Sequence, residues 1–320
     1  MRVNQLPADV IVTGGAGFIG SEFVNEISSN PGVGKIFVID KLTYAASLER
    51  IQANLDSGRV ELIVDDVQNS HSYKSIFQKS KFLIHFAAES HVDRSIEDGS
   101  PFIDPNIKGT YQLLETARIN PELKTLIVST DEVYGSIEIG EADEETSLNP
   151  SSYYSASKAS ADLIAMAAME TYKQKIMISR CSNNYGPTQH PEKLIPNMLN
   201  ALINDKNISI YGDGSNIREW IHVNDHVNAL IHLLFTTNKT GVYNIGSGER
   251  LTNIELARKI LNKLGFNDSR ISFVKDRKGH DYRYALNSGK IRKEFEWMPK
   301  RNLENSLQDL IDTAKMRFKS

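Results

Sequence analysis

Residues 13–21 read TGGAGFIGS and follow the apolar, β-branched run VIVT of residues 10–13. Gly14, Gly17 and Gly20 recur at every third position. Such spacing suits a chain that leaves a strand and enters a helix at once. It needs a residue without Cβ where it turns, where its backbone must approach a phosphate, and where the new helix lies close on the sheet. The first helical turn then points its N–H groups at the phosphates. A glycine pattern by itself also fits a tight turn with no ligand. Here Asp40 closes the next run, KIFVI at 35–39, twenty residues after Gly20, where a carboxylate can accept from ribose hydroxyls. That carboxylate would repel a 2′-phosphate, so NAD is favoured over NADP as the cofactor.

Working outward from this turn, short β-branched runs alternate with helical stretches up to about residue 181: VELIV (60–64), KFLIHF (81–86), TLIVST (125–130) and KIMIS (175–179). That alternation predicts an α/β fold, a doubly wound parallel sheet of the Rossmann type. After Asn183 the pattern shifts to GP and GDG turns with helices over 224–236, 252–263 and from about 303. We therefore expect an NAD-binding domain over 1–182 and a smaller substrate-binding domain over 183–320, with some segments returning to the first. The stretch 135–152, GSIEIGEADEETSLNPSS, reads as a loop.

The 320 residues are 40% hydrophobic with a net charge of −3, enough to bury a sizeable core. No basic patch points to nucleic acid, and no apolar stretch approaches the roughly eighteen residues of a membrane span. The opening MRVNQLPADV lacks the basic-then-apolar order of a signal peptide, which predicts a cytoplasmic protein. The one cysteine, Cys181, excludes an internal disulfide, offers no metal-ligand spacing and reads as a packed residue in IMISRC. No metal site is predicted.

Of twelve tyrosines only Tyr154 has a lysine four residues on, in YSASK, where Lys158 shares its helix face. An ammonium beside a phenol favours the phenolate, so Tyr154 could act as a base toward a sugar hydroxyl. An isolated pair of this kind is more often a surface contact; beside the glycine turn it reads as a redox pair. Ser129 and Thr130 end the fifth run, at the edge of the sheet where doubly wound folds bind ligands. Thr130 could hydrogen-bond the Tyr154 oxygen or a substrate hydroxyl. Asp131 and Glu132 follow in STDEVYG (129–135). Alone they would be a solvated acidic pair opening a loop.

The chain resembles the extended short-chain dehydrogenase/reductases, and within them the nucleotide-sugar 4,6-dehydratases of the dTDP-glucose 4,6-dehydratase type. The likeness spans nearly the whole chain and rests on TGGAGFIGS, DKLTYA (40–45), HFAAESHVDRSI (85–96), STDEVYG, YSASK, CSNNYGP (181–187), PEKLIP (191–196) and DRKGHDYRY (276–284). It implies that Thr130, Tyr154 and Lys158 serve oxidation at C4, that Glu132 removes the C5 proton, and that Asp131, kept protonated, gives one to the departing C6 hydroxyl. Two neighbouring carboxyls with separated pKa values suit such a pair.

It further implies that Gly14, Gly17, Phe18, Ile19, Gly20, Asp40, Lys41, Leu42, Thr43, Tyr44, Ala45, Asp66, Val67, Ala87, Ala88, Glu89 and Asn183 contact NAD, with Tyr154 and Lys158. The nucleotide sugar would meet Ser90, Asn184, Glu192, Lys193, Leu194, Tyr211, Arg218, Asn253, Asp276, His280 and Tyr284, besides the catalytic Thr130, Asp131 and Glu132. Arg218 suits a diphosphate, because a guanidinium fork pairs with two oxygens. His222 and His226 read as helix-initial and structural. Pro105, Ala46, Ser47 and Tyr153 depart from the usual pattern, and the 135–153 loop is short. A homodimer through helices near 101–119 and 152–172 is the family expectation. The alternatives are another nucleotide sugar such as UDP-glucose, an epimerase or decarboxylase, for which Asp131 would have no task, and a non-catalytic NAD-binding scaffold.

Overall fold

The computed structural model describes residues 7–236 and 238–319; the first six residues of MRVNQLPADV lie outside them. Twelve strands form among the described residues: β1 Ala8–Thr13, β2 Val33–Asp40, β3 Val60–Val64, β4 Phe82–His85, β5 Lys124–Thr130, β6 Ile176–Cys181, β7 Asn183–Tyr185, β8 Ile208–Tyr211, β9 Ile217–His222, β10 Gly241–Ile245, β11 Glu249–Thr252 and β12 Ile271–Val274. All six β-branched runs of the first half became strands. β10 carries no such run and was not anticipated.

The chain forms two compact units. The first comprises the chain up to Val133, Ser152–Arg180 and Val227–Tyr243. Its seven-stranded sheet runs β10-β6-β5-β4-β1-β2-β3. β1 pairs in parallel with β2, placing Thr13 opposite Ile39, and with β4, placing Thr13 opposite His85. From β1 the chain builds outward to β3 and then crosses over to β4 on the other side. Ligands of such sheets bind where that order reverses, outside the carboxyl ends of the strands. The strand runs are apolar throughout because helices cover both faces. One cluster gathers Ile11, Phe37, Ile39, Phe77, Leu83 and Leu113; another gathers Leu114, Ile127, Ala165, Ile176 and Ile178. Each fully buried Ile or Leu contributes about 2 kcal/mol, so these clusters fix the strand ends from below.

The second unit comprises Tyr134–Ser151, Cys181–His226 and Asn244–Ser320. β9 lies parallel to β7 and antiparallel to β11, and β8 pairs in parallel with β12. Helices Leu194–Ile203, Asn253–Leu264 and Leu303–Phe318 share a core with Tyr185, Ile208, Ile210 and Trp220. The middle helix shows how its ends are written locally. Thr252 and Glu255 form a reciprocal cap at its start, and Gly265, in the left-handed conformation, ends it. His222 does not begin a helix as expected; it is the last residue of β9, and the helix opens at Val223. Its ring instead meets Tyr185 edge-on at 5.2 Å, and His226 lies fully buried in the first helical turn. Cys181 is buried, as its apolar run predicts. No helix among the described residues is long and apolar enough to cross a membrane.

Candidate active site

The glycine turn is built as its spacing requires. Gly14 has a φ of +69°, and a Cβ there would stand 2.6 Å from the Ala87 nitrogen. A Cβ on Gly20 would overlap the Gly14 carbonyl oxygen. Gly17 caps helix Phe18–Ser28 in extended backbone, its N–H donating to the Gly14 oxygen at 3.1 Å. At the end of β2 the buried Asp40 accepts from the Ala16 and Leu42 amides, both at 2.9 Å. The second contact fixes Leu42 at φ +56°, a left-handed conformation that costs a leucine about 1 kcal/mol or more. Such strain survives only where the surroundings impose it.

The rest of DKLTYA is tied to neighbouring loops. The Lys41 ammonium pairs with Asp66 at 2.8 Å, and Asp66 caps the turn Val67–Tyr73 through the Gln68 amide. Burial alone would raise the Asp66 carboxyl; the Gln68 amide and Lys41 outweigh it and hold the group below its ordinary value. The Ala46 amide donates to the Thr43 oxygen, and Arg50 donates to that of Ala45. Arg94 stacks on the Tyr44 ring at 3.9 Å, and the Tyr44 hydroxyl donates to Glu89 at 3.4 Å. A glycine-rich turn before a helix N-terminus, followed by a carboxylate at the end of β2, fits a dinucleotide.

The carboxyl end of β5 carries the acid groups. Asp131–Tyr134 form one 3₁₀ turn directly after Thr130. Asp131 is 3% exposed and accepts from the Thr130 hydroxyl at 3.2 Å; the Glu132 amide donates back to that hydroxyl at 3.3 Å. Thr130 is thus turned onto Asp131, a partner the sequence did not indicate. Helix Tyr153–Tyr172 begins with a reciprocal cap between Ser152 and Ser155. That cap places Tyr154 and Lys158 on the first two turns. The buried Lys158 ammonium donates to the Val128 oxygen at 2.9 Å, pinning the helix to β5 two residues before Thr130. Tyr154 is nearly buried and packs edge-on against Phe102 at 6.2 Å.

Within the second unit the structure gathers some candidates and not others. Tyr211 ends β8 beside the loop from β12, and its ring meets His280 at 6.2 Å. His280 hydrogen-bonds Asp276 at 2.7 Å. Burial and then Arg277 hold His280 below its ordinary value despite that carboxylate, so the contact joins a neutral imidazole to an ionised Asp276. The Arg218 guanidinium lies 4.3 Å over Tyr284 and donates to the Ile217 and Asp281 carbonyls. Asn253, which follows β11 and is buried, donates its amide to the Asn216 oxygen. Asn184 is turned inward: it donates to the Ser182 oxygen and accepts from His226 at 2.9 Å. Lys193 caps helix Leu194–Ile203, Glu192 is exposed beside His190, and Asn183 opens β7 opposite Trp220.

Three groups escaped the sequence reading. Asn106, 1% exposed, lies in a π-helical turn, Ile103–Lys108. Its amide accepts from the Glu89 N–H at 2.8 Å and donates to the Glu89 oxygen and to Ser157, so it joins the Ala87–Glu89 loop to the helix of Tyr154 and Lys158. A second chain runs through His85. The Thr110 hydroxyl donates to the Asn106 oxygen, so it accepts from His85 Nε2, and His85 Nδ1 accepts from Thr13. Burial, followed by the Lys158 charge, depresses His85 to about 3 and keeps it neutral. The third is an ion pair, Arg180 with Asp162 at 2.8 Å, its side chains 3% and 0% exposed. Only the π-turn had a local trace, the proline at 105, which supplies no N–H to a regular helix.

This fold and strand-end constellation define an extended short-chain dehydrogenase/reductase, a Rossmann-type protein with an added second unit. The GDP-mannose 4,6 dehydratase family model matches residues 11–310, and the chain belongs to that family. It is 42% identical over 304 residues to the low-salt glycan biosynthesis protein Agl12 of Haloferax volcanii, covering 95% of this chain and 97% of that protein. It is 41% identical to a dTDP-glucose 4,6-dehydratase of an Actinoplanes species, covering 94% and 96%. The crystal structure of DesIV, a dTDP-glucose 4,6-dehydratase of Streptomyces venezuelae solved with NAD bound, superposes with a TM-score of 0.93 at 40% identity, covering 96% and 97%.

Proposed function

We propose that the chain is an NAD-dependent nucleotide-sugar 4,6-dehydratase acting on dTDP-glucose, giving dTDP-4-keto-6-deoxyglucose and water. The observation that carries the reading is the buried Asp131 at the end of β5, next to Glu132 and on the strand to which Lys158 pins the Tyr154 helix. An epimerase or a decarboxylase expels no hydroxide and has no use for an acid there. Similarity to dTDP-glucose dehydratases over nearly the full chain supports the choice of nucleotide.

NAD would be held by the Gly14–Gly20 turn, Asp40 with Lys41–Ala45, Asp66, Val67, Ala87–Glu89 and Asn183; when bound it would accept hydrogen from C4 and return it to C6. Tyr154, its phenolate favoured by the Lys158 ammonium, takes the C4 hydroxyl proton. The C4 ketone acidifies the C5 hydrogen, and Glu132 removes it. Asp131 donates a proton to the C6 hydroxyl, which leaves as water, and C5 is finally reprotonated. Asp131 is buried and Glu132 is the more accessible of the two, which suits the first to the proton donor and the second to the base. Arg218 would bind the diphosphate, with Tyr211, Asn253, Asp276, His280 and Tyr284 around the nucleotide, and Ser90, Asn184, Glu192, Lys193 and Leu194 as further contacts.

Assembly as a cytoplasmic homodimer belongs to the same proposal. Ile103, Tyr111, Leu163 and Met166, on the two helical regions expected at the interface, are each more than 40% exposed. Packing them against a second copy would remove that apolar surface from water.

Turnover of dTDP-glucose in heavy water tests the reading. The product should be a 4-keto-6-deoxy sugar with deuterium at C5, and a label placed on C4 should appear at C6. A product that keeps its C6 hydroxyl, with C4 inverted and no deuterium at C5, would make the chain an epimerase.

A further inference from the structure

Tyr154, Lys158 and Asp162 follow one another at four-residue intervals along one helix, so they share a face. The first two have tasks in the reaction proposed above; the third has none. Yet Asp162 is fully buried and paired with Arg180 of β6, itself 2% exposed. Buried ion pairs often add no stability over apolar residues of the same size, so packing alone gives little reason for this one. Its surroundings are specific. Burial pushes the Asp162 carboxyl up; the Arg180 guanidinium pulls most strongly against that, and the Lys158 charge adds to the pull. On β5, then, the Val128 oxygen holds Lys158 and Thr130 meets Asp131.

We propose that Asp162, anchored by Arg180, is the buried counter-charge of Lys158 and a positioning residue for the Tyr154–Lys158 pair. This rests on the reading of that pair as the redox pair. Asp162 pairs with Arg180 at 2.8 Å and stands one helical turn beyond Lys158, so one anion serves two cations. The Val128 carbonyl on β5 accepts from Lys158, the neutral His85 on β4 feels its charge, and Asp131 and Glu132 follow at the end of β5. None of these replaces the charge of Asp162 within the helix. Without it, the Arg180 charge would repel the Lys158 proton and draw Tyr154 toward the phenolate. Both changes run the same way, toward loss of protons at lower pH.

The test is Asp162→Asn, read in two ways on the full chain. The ultraviolet tyrosinate band, taken as the difference from Tyr154→Phe in the same background, gives the Tyr154 midpoint directly. The pH profile of dTDP-glucose turnover gives both limbs. We expect the midpoint and both limbs to move to lower pH by about one unit or more. Asp162→Asn with Arg180→Met removes the whole pair, which buried sites tolerate well, and should move them the same way by less. If Asp162→Asn does not fold, the double variant carries the test. Midpoints that coincide with those of the unmodified chain, with only the rate or the stability lowered, would make Asp162 a structural residue and overturn the proposal. An unmodified chain that forms no 4-keto sugar would instead overturn the reading of the reaction. The tyrosinate shift would still decide the role of Asp162.

Discussion

Replacing Asn106 with leucine keeps the number and branching of the side-chain heavy atoms and deletes every hydrogen bond the side chain makes. Those bonds are three: from the Glu89 N–H at 2.8 Å, to the Glu89 oxygen at 3.0 Å, and to the Ser157 hydroxyl at 2.8 Å. At a net value of about 1 kcal/mol each, the loss is about 3 kcal/mol. Leaving the Glu89 groups without protein partners would add more, but that loop is only partly buried and water recovers much of the penalty. Ser157 keeps its bond to the Tyr154 backbone carbonyl, so its hydroxyl is not orphaned. A deficit of about 3 kcal/mol corresponds to a roughly hundredfold fall in the folding constant. Urea unfolding without NAD, followed by circular dichroism, should show that fall at an unchanged slope. Direct titration should show weaker NAD binding, because Ala87–Glu89 loses its tie to the helix. A deficit below about 1 kcal/mol together with unaltered NAD affinity would refute the reasoning, since three buried bonds cannot vanish without trace.

Asp131→Asn should slow elimination by about a hundredfold or more while C4 oxidation persists in single turnover, read from the absorbance of the reduced cofactor; product at the unmodified rate would remove Asp131 from its role. NAD should bind far more tightly than NADP in direct titration, and equal affinities would deny Asp40 its part. Burial depresses His85 and His226 to about 3 each, so below their ordinary value near 6.5 the unfolded chain takes up protons that the folded chain refuses. Stability is therefore complete above pH 6.5 and falls as the pH drops toward 3, by on the order of 1.4 kcal/mol per unit for each histidine; a urea midpoint unchanged between pH 7 and pH 5 would contradict this. Leu163→Glu with Met166→Glu should give a monomer by light scattering at micromolar concentration, and a persisting dimer would move the interface elsewhere.

The features legible in the sequence are those whose cause is local. A glycine at 14, an aspartate after the second strand and a lysine four residues beyond Tyr154 announce themselves by spacing, because the turn and the helix convert spacing into position. Asn106, His85 and Asp162 could not be read that way. Their partners stand 17 to 72 positions away, and nothing in DPNIKGT or ASADL marks which side chain the fold will bury. One misreading has the same origin. IHVNDH opens a helix only at Val223 because Asn184 and Tyr185 pair with Ile221 and His222, a contact set by a distant strand. The contact of Thr130 with the Asp131 carboxyl was likewise not legible, because it depends on the 3₁₀ turn that follows the strand.

The last strand of the seven-stranded sheet, Gly241–Ile245, is reached only after the chain has passed through β7, β8 and β9 of the second unit. On the ribosome this imposes an order of events. When Cys181 emerges, six strands are available, but the outer edge of β6 has no neighbour until residue 245 follows. An open edge on a finished sheet is a template for any passing strand. Nascent chains are thus most exposed to mispairing while the second unit is being made, the interval in which a chaperone would protect them. The same logic bears on subcloning: cutting after the sixth strand would yield not a minimal NAD-binding domain but a sheet with one side left raw.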